Sequence, residues 1–436
     1  MSGVEIGIWS ILALVLLVYS GLHVPTVMIL VSFCGIWLIR DNVQLAGTML
    51  AFSATDSIEG YVYGVVPLFV LMGLLVMVAD LGRDSFAVAH QMFRRVPGGL
   101  GISTVAANAV FAAITGVSVA SATVFTKLAV PEMIRYGYDK RFAVGVVAGS
   151  SVLGMLIPPS VLFIIYGLIT DTSVGDLFLA GIIPGVLLAA AYATMIWIRA
   201  SRNAAAFGGS VEIAPMQQLA KSQMARMMVP IVLLVLLVLG GLYGGVFTAT
   251  ESGAVGALGA LIIALAKKRL SAKGLWRVLT ETGHVTSSLI LLIIAANIYS
   301  RMLTVSGLPA HVAESIHGMG LGYWSLLAVY LLILLVLGTI MDSASILLIC
   351  VPLFLPVFKA FGMDLIWIGV ITVIVVEIGL LTPPFGMAVF IVKSSLADQS
   401  ISLNDIFMGS LPFAAVMALV ALAVICMPWM ATAFIR

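Results

Sequence analysis

Asp342, Ser343 and Ser345 stand together in GTIMDSASIL, inside a long apolar run, and Glu377 begins a second such stretch, EIGLLTPPF, with Gly379, Thr382, Pro383 and Pro384. Earlier in the chain, AITGVSVASAT holds Thr115, Gly116, Ser118 and Ser121, and SSVLGMLIPPS holds Ser151, Gly154, Pro158 and Pro159. A proline removes a backbone donor and clashes with the preceding turn. In hydrocarbon the carbonyls it frees must find water, a neighbouring helix or a bound cation. Carboxylates in such surroundings are expensive and default to functional hypotheses. Hydroxyls, carboxylates and loosened carbonyls together form an oxygen-donor set suited to a hard cation, and half-helix N-termini suit an anion. Two plainer roles stand beside this one. Glycine and serine let helices pack closely, and Glu377 can be bonded to neighbouring backbone.

The elements that must hold these residues are set by composition. Of the 436 residues 62% are hydrophobic and 9% charged, with a mean hydropathy of +1.20. A soluble domain is nearer half apolar and a quarter charged, so the fold class is an all-α polytopic membrane protein in contact with the lipid bilayer. A net charge of +2 offers nothing to a nucleic acid. The chain has no Gly-x-x-x-x-Gly-Lys-Ser/Thr phosphate loop and no His-Glu-x-x-His pair, which argues against ATP hydrolysis by that route and against a membrane metalloprotease. Its three cysteines each lie in apolar runs and read as small buried side chains. No basic segment precedes the first apolar run, so no signal peptide is read there.

Apolar runs long enough to cross a bilayer lie at roughly 4–20, 25–39, 61–80, 142–168, 178–198, 227–245, 252–266, 284–304, 366–395 and 411–432. The runs 98–131 and 322–360 are interrupted by small and polar residues. Lys and Arg concentrate in 81–97, 132–141, 199–226 and 267–277, which the positive-inside rule assigns to the cytoplasm. Parity then requires 98–131 to enter and leave from the inside, and 322–360 from the outside. Both are expected to be re-entrant hairpins, with 142–168 and 366–395 as broken helices. Asp171, Asp176 and both termini fall outside.

The two interrupted regions also match each other. Pro131 pairs with Pro356, Gly137 with Gly362, Asp139 with Asp364, Gly154 with Gly379, Pro158 with Pro383 and Pro159 with Pro384. The spacing is the same in every pair, so the two stretches align without a gap. A repeat whose copies face opposite ways is the mark of an inverted-topology secondary transporter with its site at the repeat interface. Each tip is therefore expected to face the unwound segment of its own repeat. The first cation site would take Thr115, Gly116, Ser118, Ser151, Gly154 and Pro158. The second would take Asp342, Ser343, Glu377, Gly379, Thr382 and Pro383. A substrate anion would lie between the tips, near Ser118, Ser121, Pro159, Ser345 and Pro384. Thr248 and Glu251 have capping-box spacing. Arg301, with no acid near it in sequence, reads as a residue that docks an external partner, neutralises substrate or anchors its helix at the interface.

The segments GSSVLGMLIPPSVLFIIYG, SVGDLFLAGIIPGVLLA, GGVFTATESGAVGA and GLLTPPFGMAVFIVKS resemble the large membrane subunit of tripartite ATP-independent periplasmic (TRAP) transporters, the DctM-like subunit of C4-dicarboxylate and sialic acid systems. The resemblance covers essentially the whole chain. It implies an elevator-type, Na+-coupled importer of an organic acid in the bacterial inner membrane, with no other cofactor. It also implies a periplasmic substrate-binding protein (DctP/SiaP-like) and a small four-helix membrane subunit (DctQ/SiaQ-like), here expected as a separate chain. The moving part would be 81–170 and 305–395. Residues 1–80 and 171–304 would form the scaffold, and 396–436 a C-terminal helix. The outer loop from Arg301 to Gly320 would receive the binding protein. A stand-alone carboxylate carrier of the same superfamily, coupled to Na+ or H+, is the alternative.

Overall fold

Glycine, proline and aspartate decide where the helices of this chain stop. The computed structural model describes residues 2–208, 219–318 and 322–435, so Met1, Arg436 and the end of the Arg301–Gly320 loop lie outside the described residues. Helices α1 (Gly3–Tyr19), α2 (Val24–Arg40) and α3 (Val43–Glu59) come first. A turn then leads into α4 (Val65–Val78), which bends by 62° into α5 (Leu81–Phe93) at Asp80, held at a positive φ of 59°.

The first interrupted region is a helix pair, α6 (Gly99–Thr115) and α7 (Ser118–Arg135), that reverses at Gly116, φ 65°. The span after it is broken into α8 (Lys140–Ser151), the single turn α9 (Leu153–Leu156) and α10 (Val161–Thr170), with a 40° bend. Next come α11 (Val174–Arg202), α12 (Lys221–Val235), a π turn at Leu236–Gly240, α13 (Gly241–Tyr243), α14 (Ala249–Ala266), α15 (Ala272–Ser306) and α16 (Leu308–Gly318). The second helix pair is α17 (Tyr323–Gly338) and α18 (Ser343–Ala360). It precedes a second broken span, α19 (Leu365–Leu380) and α20 (Met387–Ser395), and then α21 (Leu403–Cys426) and α22 (Trp429–Thr432). Six of the described helices are long and apolar enough to cross a membrane, or up to eight if each bent pair counts as one span.

The constant spacing that relates the paired prolines governs element boundaries as well as residue types. Helices α7 and α18 start at Ser118 and Ser343 and end at Arg135 and Ala360, in the same register. Asp139 caps α8 through the Phe142 amide at 3.0 Å, and Asp364 caps α19 through the Trp367 amide at 3.2 Å. Such caps satisfy donors that the first helical turn leaves without partners. Gly137 and Gly362 both take positive φ, and both Pro-Pro bonds are cis. The correspondence continues beyond the stretch the sequence comparison covered. Ser173 caps α11 through Asp176, and Ser402 caps α21 through Asp405, at a slightly wider spacing. Each of these helices then carries an internal proline, Pro184 and Pro412.

Three helices occupy ground the hydropathy reading leaves as connections: α5 lies in the basic segment 81–97, and α3 and α16 are the others. Helix α3 carries Gln44, Thr48, Ser53, Thr55 and Asp56, which deny it a long apolar run; α16 is only 11 residues long. Helix α15 is longer than its predicted span. Its 35 residues reach about 52 Å at 1.5 Å per residue, and it packs on α1, α2, α3 and α4. Helices α11 and α21 pack on α6, α8 and α19, the helices of the repeats.

The α8–α21 contact is backbone on backbone. A Cβ built on Gly145 would lie 2.6 Å from the Gly409 Cα. Gly145→Val is therefore expected to lower the melting temperature in detergent clearly, because overpacking a rigid contact costs about 1–3 kcal/mol. A differential scanning measurement that leaves the midpoint in place would show the helices free to separate there.

The basic segments gather at one end. Lys267 pairs with Asp84, and Arg269 reaches Asp80 at 3.8 Å. The Asp139 amide donates to the Ala206 carbonyl at 2.9 Å. Lys140 and Arg141 pair with Asp398 and Asp405 at 3.0 and 2.7 Å. Gly60, Tyr61 and Tyr63, with parts of the 167–179 and 242–250 segments, surround a separate cavity of about 840 Å³.

Candidate transport site

Each helix-pair tip is bonded to the broken helix of its own repeat. At the first tip, the Val161 amide donates to the Gly116 carbonyl at 3.2 Å. A Cβ on Gly154 would lie 3.1 Å from the Val117 carbonyl carbon. At the second, the Phe385 and Gly386 amides both donate to the Thr339 carbonyl at 3.2 Å. Gly338 and Gly379 pack so closely that a Cβ on Gly338 would lie 2.8 Å from the Gly379 Cα. Val161 and Gly386 are repeat mates, separated by the same interval as Pro158 and Pro383, so the two breaks present equivalent donors.

The two tips meet at a cavity of about 190 Å³. Ser118 lines it from the start of α7, and Asp342 and Ser343 from the start of α18. The facing wall is Val70 of α4 and Val285 and Leu289 of α15. Helix N-termini carry partial positive charge and free amide donors, and here two 18-residue helices direct theirs at one space. The α7 end has no side-chain cap, since Val117 occupies the N-cap position. The α18 end is capped: Asp342 accepts from the Ser345 amide at 3.0 Å and from the Ser345 hydroxyl at 2.6 Å.

Behind the second tip, the Ser343 hydroxyl donates to Glu377 Oε1 at 2.9 Å. Glu377 is fully buried, and its Oε2 has no partner among the described residues. A buried carboxylate without a countercharge is costly, so this oxygen has a strong demand for a proton or a cation.

Not all of the proposed site residues reach the cavity. The Thr115 and Ser151 hydroxyls donate back to the carbonyls of Phe111 and Ala148 in their own helices, and the Thr382 hydroxyl, in the second break, donates back to the Ile378 carbonyl of α19. Ser121 is buried, its hydroxyl without a partner among the described residues. Pro158 and Pro159 are buried, whereas Pro383 and Pro384 are exposed. Two features escaped the sequence reading. Ser160 donates to the Met155 carbonyl at 2.5 Å, closing one of the acceptors the first break frees. Asn108 donates to Ser150 at 2.7 Å, and its Oδ1 has no partner among the described residues. The signals were a serine directly after Pro-Pro and an amide in an apolar helix.

Arg301 is not alone: α3 brings Asp56 into an ion pair with it, and its guanidinium lies 5.5 Å from the centre of the Phe52 ring. Glu251 forms the expected capping box, accepting from the Thr248 amide at 2.8 Å.

Paired helices braced against broken helices make up the centre of this fold. The solved structure of the YdaH transporter of Alcanivorax borkumensis shares it, with a TM-score of 0.62 over 91% of both chains at 13% identity. The family follows from sequence. Residues 11–430 match the model of the tripartite ATP-independent periplasmic transporter, DctM component, and the chain belongs to that family as a large membrane subunit. It is 34% identical to the C4-dicarboxylate TRAP transporter large permease protein DctM of Pseudomonas aeruginosa, over 79% of this chain and 80% of that one. It is 30% identical to the sialic acid TRAP transporter large permease protein SiaM of Vibrio cholerae, over 86% and 87%. These relatives are permeases, not enzymes.

Proposed function

We propose that the chain imports an organic acid, of the C4-dicarboxylate or sialic acid type, by Na+-coupled alternating access across a bacterial inner membrane. The observation that carries this reading is the convergence of two helix N-termini on one small cavity, with carboxylates directly beside and behind it. The uncapped α7 N-terminus attracts a carboxylate; Asp342, which caps α18, and Glu377 attract a cation. An anion and a cation bound side by side each lower the cost of burying the other, which is the physical basis of coupling.

The repeats are inverted in the membrane in this reading, with α6–α7 entering from the inside and α17–α18 from the outside. One Na+ site lies in each repeat, where tip and break meet. Residues 81–170 and 305–395 travel as the transport body, and the packing of α11 and α21 on their helices supports carrying these two along. Helices α1–α4, α14 and α15 form the fixed wall. A periplasmic binding protein delivers the acid to the outer face, and a small membrane subunit, as a separate chain, packs on the scaffold.

The test is uptake into proteoliposomes with all three components under an imposed Na+ or pH gradient. Uptake should require Na+ and the binding protein. Ser118→Ala and Asp342→Ala should each weaken Na+ dependence, raising the half-saturating Na+ concentration about ten-fold, the equivalent of one hydrogen bond to a charge. Uptake without binding protein would favour a stand-alone carrier, and unchanged Na+ dependence in both variants would remove the tips from the cation sites.

A further inference from the structure

A third cavity, of about 480 Å³, opens at the end where the basic segments gather. Its wall is built from His90, Arg94 and Arg95 at the end of α5, the Gly98–Leu100 start of α6, and Tyr136 and Tyr138 after α7. Ala200, Ala204 and Phe207 close the far side. Neither arginine makes an ion pair among the described residues. The positive-inside bias accounts for basic residues at this face. It does not account for their convergence with a helix N-terminus on one concave site.

Three further observations point to a ligand. The 17-residue α6 starts here with Gly98 as its N-cap; its Gly99 amide donates to the Val96 carbonyl at 2.9 Å, so the helix end offers the positive end of its dipole rather than a full set of free amides. Tyr138 supplies a hydroxyl that already accepts from the Leu100 amide at 3.3 Å, leaving its own proton to donate. His90 Nδ1 is enclosed and has no hydrogen-bond partner among the described residues. None of the described residues lining the cavity is a carboxylate: Glu132 stands 3.9 Å from Arg135, and Asp139, next to Tyr138, caps α8.

We infer that this pocket binds a phosphate group, held by Arg94 and Arg95, the α6 N-terminus and the tyrosine hydroxyls. Two guanidiniums and a ring of neutral donors match a tetrahedral dianion or a phosphodiester. Basic pockets between helices at the cytoplasmic side are sites for phospholipid headgroups, and a soluble phosphate compound offers the same chemistry. The site lies at the elbow between α5 and the first helix pair, so a bound phosphate ties that elbow to the end of α11. The inference is independent of the transported substrate.

The experiment measures binding to the purified full chain in neutral phosphatidylcholine nanodiscs. The probes are a short-chain phosphatidylglycerol, inorganic phosphate, and short-chain phosphatidylcholine as reference. The expected result is at least about ten-fold tighter binding of phosphatidylglycerol or of phosphate than of the reference, lost in Arg94→Gln/Arg95→Gln and weakened in Tyr136→Phe. Lys273→Gln/Arg277→Gln, the same charge removed at the same end but outside the cavity, should bind within about two-fold of the parent. Binding of the lipid alone identifies the headgroup as the source; binding of inorganic phosphate with the same arginine dependence identifies a soluble compound. Binding that the cavity variants leave unchanged, or that the control pair weakens equally, overturns the site.

Discussion

Gly116→Val is expected to abolish uptake while the protein still folds. Gly116 reverses the first helix pair with φ 65°, and a Cβ there would strike the Pro159 carbonyl. The left-handed conformation alone costs an L-residue about 1–2 kcal/mol, and for a β-branched side chain the penalty is heavier. The carbonyl cannot yield, because it belongs to the buried break against which the tip is braced. The cheapest relief is to lift the tip away and break the Val161–Gly116 hydrogen bond. Proteoliposome uptake should fall to background, with the melting temperature within a few degrees of the parent. Gly307→Ala is the control: φ is 75° there, but a Cβ would meet nothing within 4 Å, so only the backbone cost applies and uptake should persist. Equal loss in both variants would show that the left-handed turn, rather than the tip–break contact, is what matters.

Glu377→Gln should have the next largest effect. Glutamine preserves the volume and can still accept from the Ser343 hydroxyl, so the fold has little reason to change. The loss is the negative charge on an enclosed oxygen that no described protein group satisfies. The half-saturating Na+ concentration should rise by about ten- to a hundred-fold, the value of one to two hydrogen bonds or ligands to a charge. Ser343→Ala should produce a smaller rise, because it frees Oε1 without removing the charge. A Glu377→Gln variant with unaltered Na+ dependence would make the carboxylate a structural acceptor only.

The repeat and its breaks were legible because they rest on residues with singular backbone behaviour, whereas the capping role of the paired aspartates came only with the structure. Pro158 and Pro383 cannot continue a helix, Gly137 and Gly362 take positive φ, and Asp139 and Asp364 cap the next helix in each repeat. The pairing of α11 with α21 was not legible at a fixed offset. The connection before α21 is longer than the one before α11, so Ser402 falls out of register with Ser173. Arg301 shows a different limit. Its partner Asp56 lies 245 residues earlier, on a helix too polar to register as a span. At the site, residue types pointed to the two tips, whose residues line one cavity, but not to how each hydroxyl is spent. Thr115 bonds its own helix, as threonine in an apolar helix readily does, Thr382 reaches back from the break to the Ile378 carbonyl, and Ser343 reaches across to another element. Nothing in local sequence distinguishes these choices; the neighbour decides.

The wall opposite the tips, Val70, Val285 and Leu289, has no side-chain donor or acceptor. Aliphatic contacts are non-directional, so such a wall carries no memory of what passes it. In the proposed transport cycle, the polar choice among cargoes inside the membrane falls to the tip residues Ser118, Asp342 and Ser343, in addition to any choice made by the binding protein. A descendant of this protein could then shift its diet by altering the neighbourhood of those tips together with its binding protein, while inheriting the aliphatic wall unaltered.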